Sequence, residues 1–201
     1  NGSDDVLDCG MTDHDVALLR RDFPILERRV NDRPLVYLDS AASAQAPRQV
    51  LEAVDRYRRR HHANVHRGAH TLSAEATEMY EGARSRVARF LRADDPRGVV
   101  FTRNATEAIN LVAHAYGRHR LREGDEIVVT VAEHHANLVP WHLLAAERGL
   151  TVRGVPLGAD ARVDHDALVA AIGERTKVVA TYHVSNVLGN LQPLRAVADA
   201  A

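Results

Sequence analysis

From Gly98 onward the chain alternates short apolar, β-branched runs with helical patterns, and few folds accept that rhythm. Val99 to Thr102 reads as a strand, followed by a helix from about Ala105 to His119. Ile127 to Val131 is the next strand, followed by a helix from about Leu138 to Arg148. Thr151 to Val155 is a further strand, Asp164 caps a helix to about Ile172, and Val178 to Val184 is strand again. Short strands separated by helices require right-handed crossovers, hence a mostly parallel sheet with helices on both faces. The expected class is α/β.

The part before Gly98 reads differently. A short helix over Asp13 to Asp22 stops before Pro24, a strand is expected over Leu35 to Leu38, and Pro47 opens a helix in its first turn. Val50, Leu51, Val54 and Tyr57 recur at helical spacing to about Arg60, which makes that helix amphipathic. His61 to Leu72 is polar and rich in histidine, with Gly68 as a turn residue, and reads as a loop. The next helix, capped at Ser73, is expected to bury Ala76, Met79 or Tyr80, Ala83, Val87 and Phe90 or Leu91, and to close at Asp94-Asp95-Pro96. Three segments result: residues 1–10 as a leader or tag, 11–96 as an N-terminal helical segment, and 97–201 as the first part of a large sheet domain.

Charge narrows the partners. With 26 basic against 27 acidic residues there is no field to attract nucleic acid or an acidic membrane surface, so small molecules are expected instead. No stretch approaches the roughly 18 apolar residues of a membrane span, and Asn1 to Gly10 lack the basic start and apolar core of a secretory signal, which makes cytoplasm the expected location. Cys9 is the only cysteine and Lys177 the only lysine.

In open parallel sheets ligands bind beyond the carboxyl ends of the strands, so three polar loops matter: Arg103 to Thr106, Ala132 to Asn137 and Ser185 to Asn190. The first leads straight from strand to helix, where free N–H groups and the positive end of the helix dipole can hold a phosphate without any lysine. Taken alone, such a turn is more often an ordinary Asn or Thr cap. The second places His134 and His135 beside Glu133. A metal is the rival reading, but ring nitrogens on consecutive residues rarely converge on one ion, and no thiolate is available to complete a tetrahedral set. An imidazole there can instead lie on an aromatic ring and exchange protons near neutral pH. The third offers Asn186, an amide that can both donate and accept, with Gly189 allowing a tight exit.

Five stretches in this order resemble a known family: Tyr37-Leu38-Asp39-Ser40-Ala41-Ala42-Ser43-Ala44-Gln45; Val65-His66-Arg67-Gly68-Ala69-His70-Thr71-Leu72-Ser73; Thr106-Glu107; Glu133-His134-His135-Ala136-Asn137 with Pro140-Trp141; and His183-Val184-Ser185-Asn186-Val187-Leu188-Gly189. Together they are similar to the group II cysteine desulfurases, fold-type I pyridoxal-phosphate enzymes that include the selenocysteine lyases. The resemblance implies that residues 97–201 are the first part of the cofactor-binding large domain of a fold-type I transferase. It further implies that Ala105 and Thr106 bind the cofactor phosphate. Many relatives have two threonines here, so Ala105 retains a backbone N–H but lacks one hydroxyl. His134 matches the histidine that stacks on the pyridine ring and shuttles protons, and Asn186 the amide that meets the cofactor and the substrate carboxylate. Ala42, His66 and Arg67 match segments that approach the substrate.

The activity implied is removal of sulfur from L-cysteine, or selenium from L-selenocysteine, giving alanine and an enzyme persulfide. That sulfur would pass to an acceptor protein, for iron–sulfur cluster assembly, from a homodimeric enzyme. Such an enzyme needs a lysine to carry the cofactor and a cysteine to take the sulfur. Lys177 falls at the wrong end of a strand, and Cys9 lies in the leader. The closing residues, Leu194 to Ala201, look like a helix cut in mid-course, so a longer parent is expected and the fragment itself is expected to be inactive. Two alternatives remain: another class V aminotransferase-like reaction, and a non-enzymatic fragment or interaction protein.

Overall fold

The computed structural model describes residues 12–201; the expected leader and Cys9 lie outside them. The chain divides into two compact units, one up to Val100 and one from Phe101.

The first unit opens with α1 (Asp13–Arg20), whose start is locked by a capping box. The Thr12 hydroxyl accepts from the Asp15 N–H, and the Asp15 carboxylate accepts from the Thr12 N–H. A 3-10 turn at Pro24–Glu27 follows. Strands β1 (Arg29–Val30) and β2 (Arg33–Pro34) pair antiparallel around Asn31 and Asp32, both with positive φ, as a two-residue hairpin demands. The strand expected over Leu35–Leu38 is therefore displaced. Leu35 donates one further bond to the Arg28 carbonyl, the chain then leaves its partner, and Leu38 stands 91% exposed. Extended apolar sequence without a ladder partner is not a strand.

Helix α2 (Arg48–Arg60) begins with Pro47 as its N-cap, one position earlier than its expected place in the first turn. Helix α3 (Thr71–Leu91) begins at His70, whose Nδ1 accepts from the Ser73 N–H; Ser73, expected as the cap, is a buried residue of the first turn. The buried stripe of α3 is made of small residues, Ser73, Ala76 and Ala88. Neither Phe90 nor Leu91, one of which was expected inside, is buried: they are 86% and 63% exposed. Hydropathy selects large side chains, whereas this helix face admits only small ones.

Val99 to Thr102, which runs across the boundary between the units, does not form the expected strand. Val99 is extended, but no strand among the described residues pairs with it. Helix α4 (Ala105–Val112) widens into a π-turn over Ala113–Gly117 and ends in α5 (Arg118–Arg120), where one regular helix was expected. At Gly117 a Cβ would lie 2.5 Å from Cδ2 of the buried Leu144, so any larger residue there requires the Leu144 side chain to shift.

Then comes the expected alternation, except that the last strand runs over Thr176–Ala180 rather than Val178–Val184, because the chain turns off the sheet after Ala180 and Val184 only bridges Leu191. Strand β3 (Glu126–Thr130), α6 (Val139–Arg148), β4 (Thr151–Val155), α7 (His165–Ala170), β5 (Thr176–Ala180) and α8 (Leu194–Ala200) follow in order. The sheet is parallel in the order β4-β3-β5. Central β3 is buried at every position. Its Ile127 and Val129 face a core with Ala113, Trp141 and Leu144, while Val128 faces Val163, Leu168 and Val197. Helices thus cover both faces, and each fully buried Ile or Val contributes roughly 1.5–3 kcal/mol. At the amino ends of the strands the buried Glu126 accepts from the Thr176 hydroxyl and pairs with Arg153 at 3.0 Å, joining all three.

Candidate functional site

Two of the three polar loops leave carboxyl ends of the sheet, after β3 and after β5; the first leads into α4 without a strand before it. At the start of α4, the Asn104 side chain caps the Glu107 N–H at 2.9 Å, and the Glu107 carboxylate reaches back to the Arg103 N–H at 2.6 Å. Ala105 and Thr106 occupy the first two helical positions, where N–H groups have no intrahelical acceptor. Thr106 is exposed, and its carbonyl accepts from the Asn110 side chain at 2.8 Å.

After β3 the chain turns through a 3-10 element, His135–Asn137, into α6. The Nδ1 atom of His134 accepts from the Ala136 N–H at 3.1 Å, which leaves Nε2 to carry the proton of the neutral ring. The His134 and His135 rings are tilted with centroids 6.3 Å apart, and both are exposed. Thr106, Asn110, His134, His135, Val139 and Leu143 line a cleft of about 330 Å³. Two loops far apart in sequence thus meet at one concavity, with a helix N-terminus on one side and an imidazole on the other.

Beyond β5 the loop is pinched at its neck. Val184 bridges Leu191, the Ser185 N–H donates to the Asn190 carbonyl, and Gln192 donates to the carbonyl of His183. The Ser185 hydroxyl accepts from Val187 and Leu188. Gly189 takes φ of +68° to close the turn. Asn186 sits exposed at the tip and does not line the cleft. Lys177 lies at the other end of β5, where its ammonium donates to the Glu174 carbonyl at 2.6 Å.

The histidine loop belongs to the first unit. His66 holds a left-handed backbone (φ 64°), its N–H donates to the Thr77 hydroxyl, and its Nε2 lies 2.9 Å from the Glu81 carboxylate. Its ring meets Tyr80 edge-on at 6.2 Å. Arg67 is exposed. Ala42 sits in an exposed turn, donating its N–H to the Asp39 carbonyl. Among the described residues no three His, Cys, Asp or Glu side chains converge as a metal site would require, and no helix is long and apolar enough to cross a membrane.

Two residues near the cleft carried no role in the sequence-based expectations. Asn110 stands four residues after Thr106 on the face turned to the cleft. Glu133 begins a row with Asn137 and Trp141 at helical spacing, and all three side chains are hydrogen-bonded to one another in sequence. The spacing of four was the available signal.

Residues 36–201 match the aminotransferase class-V family model. The chain belongs to the aminotransferase class-V family. Within that family, it is 49% identical over 92% of its length to a probable cysteine desulfurase of Synechocystis. A crystal structure of an Escherichia coli cysteine desulfurase is similar at 43% identity and a TM-score of 0.76, over 91% of this chain. The apo cysteine desulfurase of Thermococcus onnurineus gives 37% identity and a TM-score of 0.83, over 92%. This class-V chain spans less than half of these relatives: 44% of the first, 45% of the second and 44% of the third. The α/β fold read from the strand–helix rhythm is the fold of these neighbours.

Proposed function

We propose that this chain is the cofactor-facing portion of a pyridoxal-phosphate-dependent cysteine desulfurase. The observation that carries the reading is the cleft that joins Thr106, at the N-terminus of α4, to His134. The residues there suit the group. Unpartnered N–H positions at Ala105 and Thr106, with the Thr106 hydroxyl, match a phosphate dianion, and a flat imidazole matches an aromatic ring. Bound there, pyridoxal phosphate supplies an electron sink for bond breaking at the substrate α-carbon.

The chain's own residues divide the remaining work. Ala105 and Thr106 anchor the phosphate, with one hydroxyl rather than two. His134 holds a proton at Nε2, the nitrogen left free by the Ala136 N–H, and exchanges it with the substrate. Asn186, at the tip of a pinched loop, donates to the cofactor oxygen and the substrate carboxylate. Ala42, His66 and Arg67, in the first unit, are proposed as the residues that contact the substrate. Lys177 is bonded at the amino end of β5 and takes no part. The parent protein is proposed to act as a homodimer in the cytoplasm and to pass persulfide sulfur to an acceptor protein for iron–sulfur cluster assembly.

Selenocysteine lyase activity uses the same site and is separated by substrate preference. The test is direct. The full-length gene product, loaded with pyridoxal phosphate, is expected to turn yellow and release alanine from L-cysteine, whereas residues 1–201 alone release none. A yellow protein that releases no alanine from either L-cysteine or L-selenocysteine points to a different class-V reaction, and alanine release by the 201-residue chain refutes the assignment of lysine and thiol to other residues.

A further inference from the structure

Glu133 precedes His134 and points away from the cleft, into the junction of three elements. One carboxylate oxygen accepts from the Thr130 hydroxyl at the end of β3 (3.0 Å) and from the Tyr182 N–H at the exit of β5. The other accepts from the Asn137 side-chain amide at 2.9 Å. Asn137 in turn accepts the indole N–H of Trp141 at 3.0 Å, and Trp141 is buried in the core of α6.

The polarity of this chain is fixed from its buried end. An indole nitrogen only donates, so the Asn137 oxygen must face Trp141 and its NH2 group must face Glu133. A backbone N–H also only donates, so the oxygen facing Tyr182 must accept. Every site on Glu133 is therefore an acceptor site, which suits a carboxylate and not an amide. The group ties the β3 exit, which carries His134, to the β5 exit, which leads into the loop carrying Asn186. That second loop continues the tie: the Tyr182 hydroxyl donates to Asn190 at 2.9 Å and accepts from Gln192 at 3.0 Å.

We propose that Glu133 is a positioning residue that sets His134 and the Asn186 loop in register with each other. The proposal rests on the reading of His134 and Asn186 as the residues that meet cofactor and substrate. It adds that their relative placement is enforced by one ionised side chain touching neither.

The polarity argument supplies a swap. Glu133→Gln presents an NH2 group to the Asn137 NH2, two donors face to face. Asn137→Asp alone places two carboxylates together. The double variant E133Q/N137D restores every donor–acceptor pair. The amide then at position 133 donates to the carboxylate at position 137, which still accepts from Trp141, while the amide oxygen still accepts from Thr130 and Tyr182.

The experiment uses the full-length gene product and reads the side-chain NMR signals of the His134 imidazole and the Asn186 amide without cofactor, then the dissociation constant for pyridoxal phosphate. Both signals are expected to move in E133Q and in N137D, with cofactor binding about tenfold weaker, and to return to wild-type positions in the double variant. If either single variant loses thermal stability while both signals stay in place, the role is structural only and the proposal fails. A double variant that does not fold, or folds with the signals still displaced, also overturns it. Failure of the desulfurase reading would show separately, as wild-type protein that binds cofactor but releases no alanine.

Discussion

Gly68 and Ser73 approach so closely that a Cβ on the glycine would lie 2.6 Å from the Cβ of the serine. The contact exists because the Ser73 hydroxyl is the hub of the histidine loop: it accepts from the Gly68 N–H at 3.0 Å and donates to the Asn64 carbonyl at 2.6 Å. Ser73 is 1% exposed, so neither partner has water as an alternative at that point.

Gly68→Ala is accordingly expected to destabilise the first unit by about 1–3 kcal/mol through overpacking. The loop should also lose the His66–Thr77 bond as it shifts. Urea denaturation with tyrosine fluorescence and amide exchange over residues 64–73 would check it. Wild-type stability in the variant would mean the loop yields at no cost.

His165 opens α7 with both ring nitrogens buried and no hydrogen-bond partner for either. A buried polar group left unsatisfied costs about 1–3 kcal/mol. His165→Leu, similar in size and a better helix former, is expected to raise the midpoint of thermal unfolding by several degrees, roughly the equivalent of 1 kcal/mol. A lower midpoint would show that the imidazole has a partner in solution.

Thr106→Val keeps the backbone N–H groups of α4 and removes the hydroxyl. With Ala105 already lacking one, the loss should weaken pyridoxal phosphate binding about tenfold in the full-length gene product. Titration of the cofactor absorbance would measure it. Unchanged affinity would assign the phosphate contact to the backbone alone.

Asp95 caps the 3-10 turn Pro96–Gly98. The Arg97 guanidinium bonded to its carboxylate, with the Arg97 N–H second, holds its pKa below the usual carboxylate value. A depressed folded-state pKa gives stability that is present above the unfolded value and is lost as pH falls through the folded one. Asp95→Asn should therefore be less stable than wild type at neutral pH, with the difference closing in strong acid. Paired denaturant melts across that range would show it; a gap independent of pH would contradict the linkage.

The alternation after Gly98 was legible because it depends on local pattern. Thr151–Val155 is a strand as read, and Asp164 caps α7 through its bond to the Ala167 N–H. The misread elements are those that depend on a neighbour. Leu35–Leu38 and Val99–Thr102 have strand composition but no ladder, and α3 turns its small residues inward instead of Phe90 or Leu91. The hairpin at Asn31-Asp32 went unread because both residues must adopt positive φ, a state composition favours but does not impose.

At the candidate site, sequence by itself determined which residue types stand at the start of α4 and at the carboxyl ends of β3 and β5: Ala105 and Thr106, His134, and Asn186. It also determined that the one lysine and the one cysteine lie elsewhere. Tertiary structure alone decided that Thr106 and His134 share a cleft, that Asn186 stands apart at a loop tip, and that Glu133 links the two strand exits. The physical reason is range. Helix caps and strand periodicity are set within a few residues, whereas a hydrogen bond from Tyr182 to Glu133 exists only once β3 and β5 lie side by side.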